Sequence, residues 1–280
     1  MPGRPAFTQV RDWAYQLQAY AGDGVSELVG SAHQLVVIDL ARDAGSDWFT
    51  AAETGRLRAA GKWALAYFEI GSIEEYRPEY PVLRDRYPGL ILNRWPSWPQ
   101  EHFVRYWDER WWDLVVRPRV DQAIRAGFDG VYLDTPLAYE EIDLALVPRA
   151  TRDSLAWLMV GLIGRLSRYA KEHKPGMLVV PQNSPELRRW PGYTSSIDGI
   201  GIEELYYRAT DLPCTADWCA TNLANVRALR AAGKAVLAVD YATNPAHIRH
   251  ACDRYRAEGF AGYVTTVDLD RLSGSCPSGG

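Results

Sequence analysis

Gly127-Phe-Asp-Gly-Val-Tyr-Leu-Asp134-Thr-Pro-Leu-Ala-Tyr-Glu140-Glu141 reads as a strand that ends on a carboxylate. Phe128 to Leu133 is short, aromatic and β-branched, entered through Gly127 and left through Pro136, which is strand punctuation rather than helix punctuation. A second segment, Ile197-Asp-Gly-Ile-Gly-Ile-Glu203-Glu204, has the same shape. Outward from these two, six further strand-like runs recur: Trp13–Gln18, Leu35–Asp39, Trp63–Glu69, Met177–Gln182, Ala235–Asp240 and Phe260–Thr266. Between them lie segments with apolar residues at three-and-four spacing, Ser46–Ala60, Asp113–Ala126, Arg152–His173, Asn222–Ala232 and Pro245–Glu258. Alternation of strand and helix implies a parallel sheet. Eight repeats with no Gly-x-Gly-x-x-Gly after the first strand favour an α/β fold of the (β/α)8 TIM-barrel type over an open nucleotide-binding sheet.

The chain of 280 residues fits one such domain, expected over residues 1–272, with a frayed tail over 273–280. Between the third and fourth barrel strands stands a long insertion, with an extra short strand expected at Gly89–Asn93 and the cluster Trp95-Pro-Ser-Trp98. Insertions of this size usually serve a site.

Composition narrows the partners. A net charge of −4 argues against nucleic acid. No apolar run approaches the ~20 residues of a membrane span. Cys214 and Cys219 are close enough to close a small disulfide in an exported protein. Met-Pro-Gly-Arg-Pro-Ala shows no apolar core for a signal peptide; secretion is nonetheless the expected location, with the cytoplasm left open. Neither the four cysteines nor the five histidines have metal-ligand spacing, so no metal and no cofactor is expected. The chain is expected to act as a monomer. Its 11 Trp and 16 Tyr include Trp95 and Trp98 in a Pro-containing loop, where flat aromatic faces suit sugar rings.

Polar residues at the strand ends converge on the face where a TIM barrel builds its active site. They are Gln16 and Gln18, Asp39, Glu69, Asp134, Gln182 and Asn183, Glu203 and Glu204, Asp240 and Tyr241. A single acid at a strand end commonly caps the next turn. Acids on separate strands, converging with amides and hydroxyls, point instead to a site, and two carboxyl groups are what cleaving a glycosidic bond requires. The count also suggests an acid-rich cleft: Asp39, Glu69, Asp134, Glu203 and Asp240, with no lysine or arginine at a strand end.

At these residues the chain resembles the endo-α-1,4-polygalactosaminidase family of glycoside hydrolases (family 114) and its bacterial relatives. The resemblance rests on Trp13-Ala-Tyr-Gln-Leu-Gln18, Val37-Ile-Asp39, Ala66-Tyr-Phe-Glu-Ile-Gly-Ser-Ile-Glu-Glu-Tyr-Arg77, Gly127–Asp134 and Gly201-Ile-Glu-Glu-Leu-Tyr-Tyr207. It implies a barrel that hydrolyses α-1,4-linked galactosamine polymers, a cationic polysaccharide, with Asp134 and Glu203 as the catalytic pair. It also implies a retaining reaction, for which the two carboxyl groups stand roughly 5–5.5 Å apart rather than the wider spacing of an inverting enzyme. The remaining expected substrate-binding residues are Gln16, Asp39, Tyr67, Glu69, Trp95, Trp98, Asn183, Glu204, Tyr206, Asp240 and Tyr241. The sixth strand departs from the fungal pattern of Asn-Glu followed by Gln-Cys, which leaves Glu203 and Glu204 both open as the acid. Three rivals remain: a glycosidase of another α-linked amino-sugar or neutral glycan, a non-catalytic carbohydrate-binding barrel, and a metal-dependent or phosphate-handling barrel enzyme. The last lacks its Gly-rich loop, since Tyr241-Ala-Thr-Asn-Pro stands after the seventh strand.

Overall fold

The computed structural model describes residues 4–276. In chain order its strands are β1 (Trp13–Gln16), β2 (Leu35–Asp39), β3 (Trp63–Glu69), β4 (Ser72–Glu74), β5 (Ile91–Trp95), β6 (Trp98–Val104) and β7 (Gly130–Asp134). There follow β8 (Leu178–Pro181), β9 (Gly199–Glu203), β10 (Tyr207–Arg208), β11 (Leu212–Pro213), β12 (Ala235–Tyr241) and β13 (Ala261–Thr265). Five strands pair in parallel in the order β1-β2-β3-β7-β8, and three in the order β9-β12-β13. Parallel bridges Gln182–Gly201 and Asp12–Gly262 join the two arcs into a closed ring. The eight strands expected from sequence are the eight staves of a (β/α)8 barrel.

Helices form where local chemistry nucleates them. Thr50 and Thr151 close capping boxes ahead of Ala51–Ala59 and Arg152–His173. Asn244 caps Pro245–Glu258, with Pro245 at the first helical position, where its missing N–H costs nothing. The helix expected at Asp113–Ala126 starts earlier, at Glu109, and runs as π-helix through Trp112–Val116 before continuing as α-helix over Arg117–Arg125. Pro118 lies at that junction and cannot supply the hydrogen bond of a regular α-turn.

The barrel interior is aromatic. Trp13, Tyr15, Tyr132 and Tyr263 are fully buried and pack against one another, and the Trp13 indole N–H donates to the Ala238 carbonyl at 3.1 Å. Gly201 makes room for this stack, since a Cβ there would lie 1.9 Å from the Tyr132 hydroxyl.

Two expectations are corrected. The insertion carries a three-stranded antiparallel sheet, β4-β6-β5, rather than one short strand, and Trp95 and Trp98 face each other across its hairpin turn. The tail expected to fray from Ser273 is fastened as far as Cys276. The Ser273 amide donates to the Tyr263 hydroxyl at 2.8 Å, and Cys276 forms a disulfide with Cys252. Residues 277–280 lie outside the described residues. Cys214 and Cys219 are also joined, as their spacing suggested.

Candidate active site

The C-terminal ends of the staves open into a cavity of about 1120 Å³. Register sets its floor: Glu69 on β3 is level with Asp134 on β7, and Val239 on β12 is level with Glu203 on β9. Asp134 and Glu203 both line the cavity. Asp134 Oδ2 accepts from the Tyr67 hydroxyl at 2.5 Å, and Oδ1 from the Thr135 amide at 2.6 Å. Burial, and next the negative charge of Glu203, push its carboxyl up to about 7 against those hydrogen bonds.

Glu203 continues the β9 strand into a cradle of donors. Gln182 and Asn183 side-chain amides reach Oε2, the latter at 2.8 Å, and the Tyr241 hydroxyl donates to Oε1. Tyr15 steadies Gln182 from below, its hydroxyl 2.7 Å from Gln182 Oε1. Glu204 lines the cavity too but leaves the strand: it takes a left-handed φ of 58°, and its carboxylate accepts from the Ala209 amide. Burial raises its carboxyl.

Trp95 and Trp98 line the same cavity from the insertion, with Trp98 52% exposed at the hairpin tip. Trp111 and Trp112 are core residues, as expected of the aromatics beside a helix start.

Several expected site residues have other work. Asp240 is buried and does not reach the cavity: it accepts from the Tyr206 and Tyr207 amides, both at 2.8 Å, and from the Tyr255 hydroxyl. It fixes the turn after β9. Glu69 is wholly buried between Arg77 and Arg119, each 2.9 Å away; burial alone would raise it, but these cations hold it down at about 2. Asp39 borders the cavity but is bound by both terminal nitrogens of Arg77, at 3.0 and 2.9 Å. The cleft is therefore not the cation-free ring of five acids that strand-end counting suggests. Gln16 is buried and spends its amide on the Gln18 and Ala19 carbonyls; Gln18 faces the cavity in its place. Tyr206 packs against Tyr255 and His250, away from the cavity, and Tyr207 is buried against His247.

With this geometry in place, comparison with known proteins is decisive about kinship. The sequence model of glycoside-hydrolase family GH114 matches residues 3–279. The chain belongs to glycoside-hydrolase family GH114. An uncharacterised protein of Deinococcus radiodurans is 35% identical over 270 residues, covering 96% of this chain and 84% of that one. The glycoside hydrolase domain of PelA from Pseudomonas aeruginosa superposes with a TM-score of 0.72 at 19% identity, over 93% of this chain and 96% of that one. Aspergillus fumigatus Ega3, solved in complex with galactosamine, also superposes with a TM-score of 0.72, at 17% identity and 97% coverage of each chain. At these identities the two structures speak for a shared fold.

In this GH114 chain the cavity also holds Glu74, just beyond the Glu69 strand end, and residues that strand-end reading passed over. Glu74 and Glu101 sit directly opposite each other on β4 and β6, and both line the cavity. Arg77 and Arg42 line it as well, but Arg77 is taken up by Asp39, Glu69 and Glu74, and Arg42 by Asp47 and Glu53. Trp98–Val104 shows no polar–apolar alternation, so the sequence carried no signal that marks Glu101. Among the described residues, no group of three or more His, Cys, Asp or Glu could hold a metal ion, and no helix is long and apolar enough to cross a membrane.

Proposed function

We propose that this glycoside hydrolase cleaves an α-1,4-linked galactosamine-containing polysaccharide by retaining double displacement, with Asp134 as nucleophile and Glu203 as acid and base. The observation that carries this reading is the pair itself: two carboxyl groups from separate staves open into one aromatic-walled cavity, and the charge of one raises the other. Two like charges in a buried site are costly to ionise together, so the pair carries one proton around neutrality. A double displacement uses that one proton. Asp134 attacks the anomeric carbon as the glycosidic C–O bond breaks, and Glu203 protonates the departing oxygen. Glu203 then takes a proton from water, whose oxygen displaces Asp134.

A cationic polymer suits the lining. Asp134, Glu203 and Glu204 face the cavity without an arginine partner, whereas both arginines there already have carboxylate partners. Ega3 supports the same substrate class, since it was solved with galactosamine. The disulfides Cys214–Cys219 and Cys252–Cys276 support action outside the reducing cytoplasm. The test is a reducing-end assay on galactosamine oligosaccharides, their N-acetylated forms and a neutral α-glucan, with wild type and Asp134→Asn, reading the first-formed anomer by NMR. Cleavage of the amino sugar with α-anomer product, absent in the variant, is expected. First-formed β-anomer would overturn the retaining mechanism, and preference for the neutral glucan would overturn the substrate class.

A further inference from the structure

Thr135 follows Asp134, is fully buried, and adopts a φ of 60°, a left-handed conformation that β-branched residues rarely take. That conformation turns its amide onto Asp134 Oδ1 at 2.6 Å. Its neighbours on the insertion hold it there. The Gly71 amide donates to Thr135 Oγ1 at 3.0 Å, and a side chain at Gly71 would put its Cβ 2.2 Å from the Thr135 carbonyl oxygen. Ser72 Oγ lies 2.9 Å from Thr135 Oγ1 and 2.5 Å from Glu101 Oε1, reaching across the β4–β6 pair.

Counting protons along this chain decides the state of its far end. Thr135 has one hydroxyl proton, and the Asp134 carbonyl oxygen lies 2.8 Å away to accept it. Ser72 also has one, which cannot serve both Thr135 and Glu101. Every contact is filled when Glu101 itself brings a proton: Glu101 gives to Ser72, Ser72 to Thr135, and Thr135 to the Asp134 carbonyl. With Glu101 ionised the chain reverses, and the Thr135 contact to Asp134 is lost. The charged groups facing Glu101 are Asp134, Glu69, Arg77 and, opposite it on β4, Glu74. His102 and Glu75 pair on the other side of the hairpin. Burial first, then the charge of Asp134, push Glu101 up to about 8.

We infer that Glu101 is a positioning residue for Asp134, working as a neutral carboxyl group that donates through Ser72 to Thr135 and so fixes the Thr135 amide on the Asp134 carboxylate. Its importance for turnover rests on the reading of Asp134 as the reacting group. A neutral acid kept as a donor is an established use of a buried carboxyl.

The test is substrate-free NMR on the intact protein, joined to kinetics. The Glu101 side-chain carbon is expected to keep its protonated shift up to neutral pH. The Thr135 amide proton should lie far downfield, move upfield in Glu101→Leu and Ser72→Ala, and stay in place in Glu101→Gln, whose amide can still donate. With deacetylated α-1,4-galactosamine oligosaccharide, Glu101→Leu should lower kcat on the order of 10²-fold with KM within about twofold, and Glu101→Gln should recover most of that loss. Titration of Glu101 in the ordinary carboxylate range, or a Thr135 amide indifferent to both Glu101→Leu and Ser72→Ala, overturns the inference. So does a Glu101→Gln enzyme as impaired as Glu101→Leu, with the loss in KM, because the charge would then be touching substrate. If Glu101→Leu does not fold, Ser72→Ala and the Glu101 titration decide the matter alone. An Asp134→Asn protein with full activity would instead defeat the proposed function, while the NMR arm still reads the Glu101 link by itself.

Discussion

Tyr67 donates its hydroxyl proton to Asp134 Oδ2 at 2.5 Å from the adjacent stave, and this bond favours the ionised carboxylate. Asp134 must be ionised to attack, and burial with the nearby Glu203 charge has already raised it to about 7. Above that value the pair holds no proton for Glu203 to deliver, so the alkaline limb of kcat/KM should fall near neutrality. In Tyr67→Phe the limb should move to higher pH by about one unit, the worth of one hydrogen bond to a charged group. A pH–rate profile measures this directly, and a limb unmoved by the change would mean that another group controls it.

Asp134→Asn and Glu203→Gln should each reduce hydrolysis by on the order of 10³-fold or more, because residues acting as one unit fail together. Stability should move the other way. The folded-state pKa of Asp134 lies above its ordinary 3.8, so its contribution is fully present below that value and is lost as pH rises toward about 7. Asp134→Asn removes that loss. Melting curves should show the variant gaining on wild type between pH 4 and pH 8, by on the order of 4 kcal/mol at the upper end. A gap that shrinks with rising pH would contradict the raised pKa.

Arg77 is the hub beneath the cavity, paired with Asp39, Glu69 and Glu74 and almost wholly buried. Arg77→Met leaves buried carboxylates short of a partner and should cost roughly 3–5 kcal/mol at neutral pH. Glu69 is depressed to about 2 from 4.5, so the stability it draws from its cations is present above 4.5 and fades as pH falls toward 2. The deficit of the variant should shrink over that window, with Arg119 retaining part of the effect on Glu69. Denaturant unfolding at pH 7 and pH 3 tests this: equal deficits at both would remove the electrostatic account.

Much of this was legible in the chain. The eight staves were, because each is a short apolar run between turn residues, and so were the cavity positions of Asp134, Glu203, Asn183 and Tyr241 at strand ends. What sequence position cannot carry is the direction and partnership of a side chain once it is there. Asp240 ends the same kind of strand as Asp134, yet its oxygens are claimed by two amides of the preceding loop and by Tyr255 on a helix. Glu69 looks like a cleft acid until Arg77, eight residues on, folds back beneath it. The choice between Glu203 and Glu204 turns on one left-handed residue, which the loop amide of Ala209 helps to hold. Glu101 was hidden because the insertion was read as one strand, and its partner Glu74 only meets it in a sheet of three.

Trp98 stands half-exposed at the tip of the β5–β6 hairpin and lines the cavity without supporting the core. Trp98→Ala should raise KM for long oligosaccharides by about five- to tenfold, the loss of one aromatic contact, and leave the melting temperature unchanged. Short substrates that do not reach the hairpin should be indifferent. If long and short substrates suffer alike, Trp98 is not a subsite wall.

The cationic-substrate reading makes the sharpest demand, because the acids that carry it differ from those the strand ends suggested. Asp39, Glu69 and Glu74 are matched by arginine, Asp240 is internal and Glu101 serves as a neutral donor, which leaves Asp134, Glu203 and Glu204 around the cavity. Asp134, pushed up to about 7, is only partly charged near neutrality. Attraction for an ammonium-bearing polymer should therefore strengthen as pH rises through this range, for as long as the sugar amines stay protonated. It should weaken with added salt, since the cavity is open to solvent and screening acts within about 10 Å at 0.1 M. N-acetylation, which removes the positive charge, should raise KM in the same direction. Measuring KM for deacetylated and acetylated oligosaccharides across pH 6 to 8 at low and high salt separates these effects. Equal KM for both polymers at every salt and pH would eliminate the ammonium as the feature recognised and leave a glycosidase of neutral-sugar specificity.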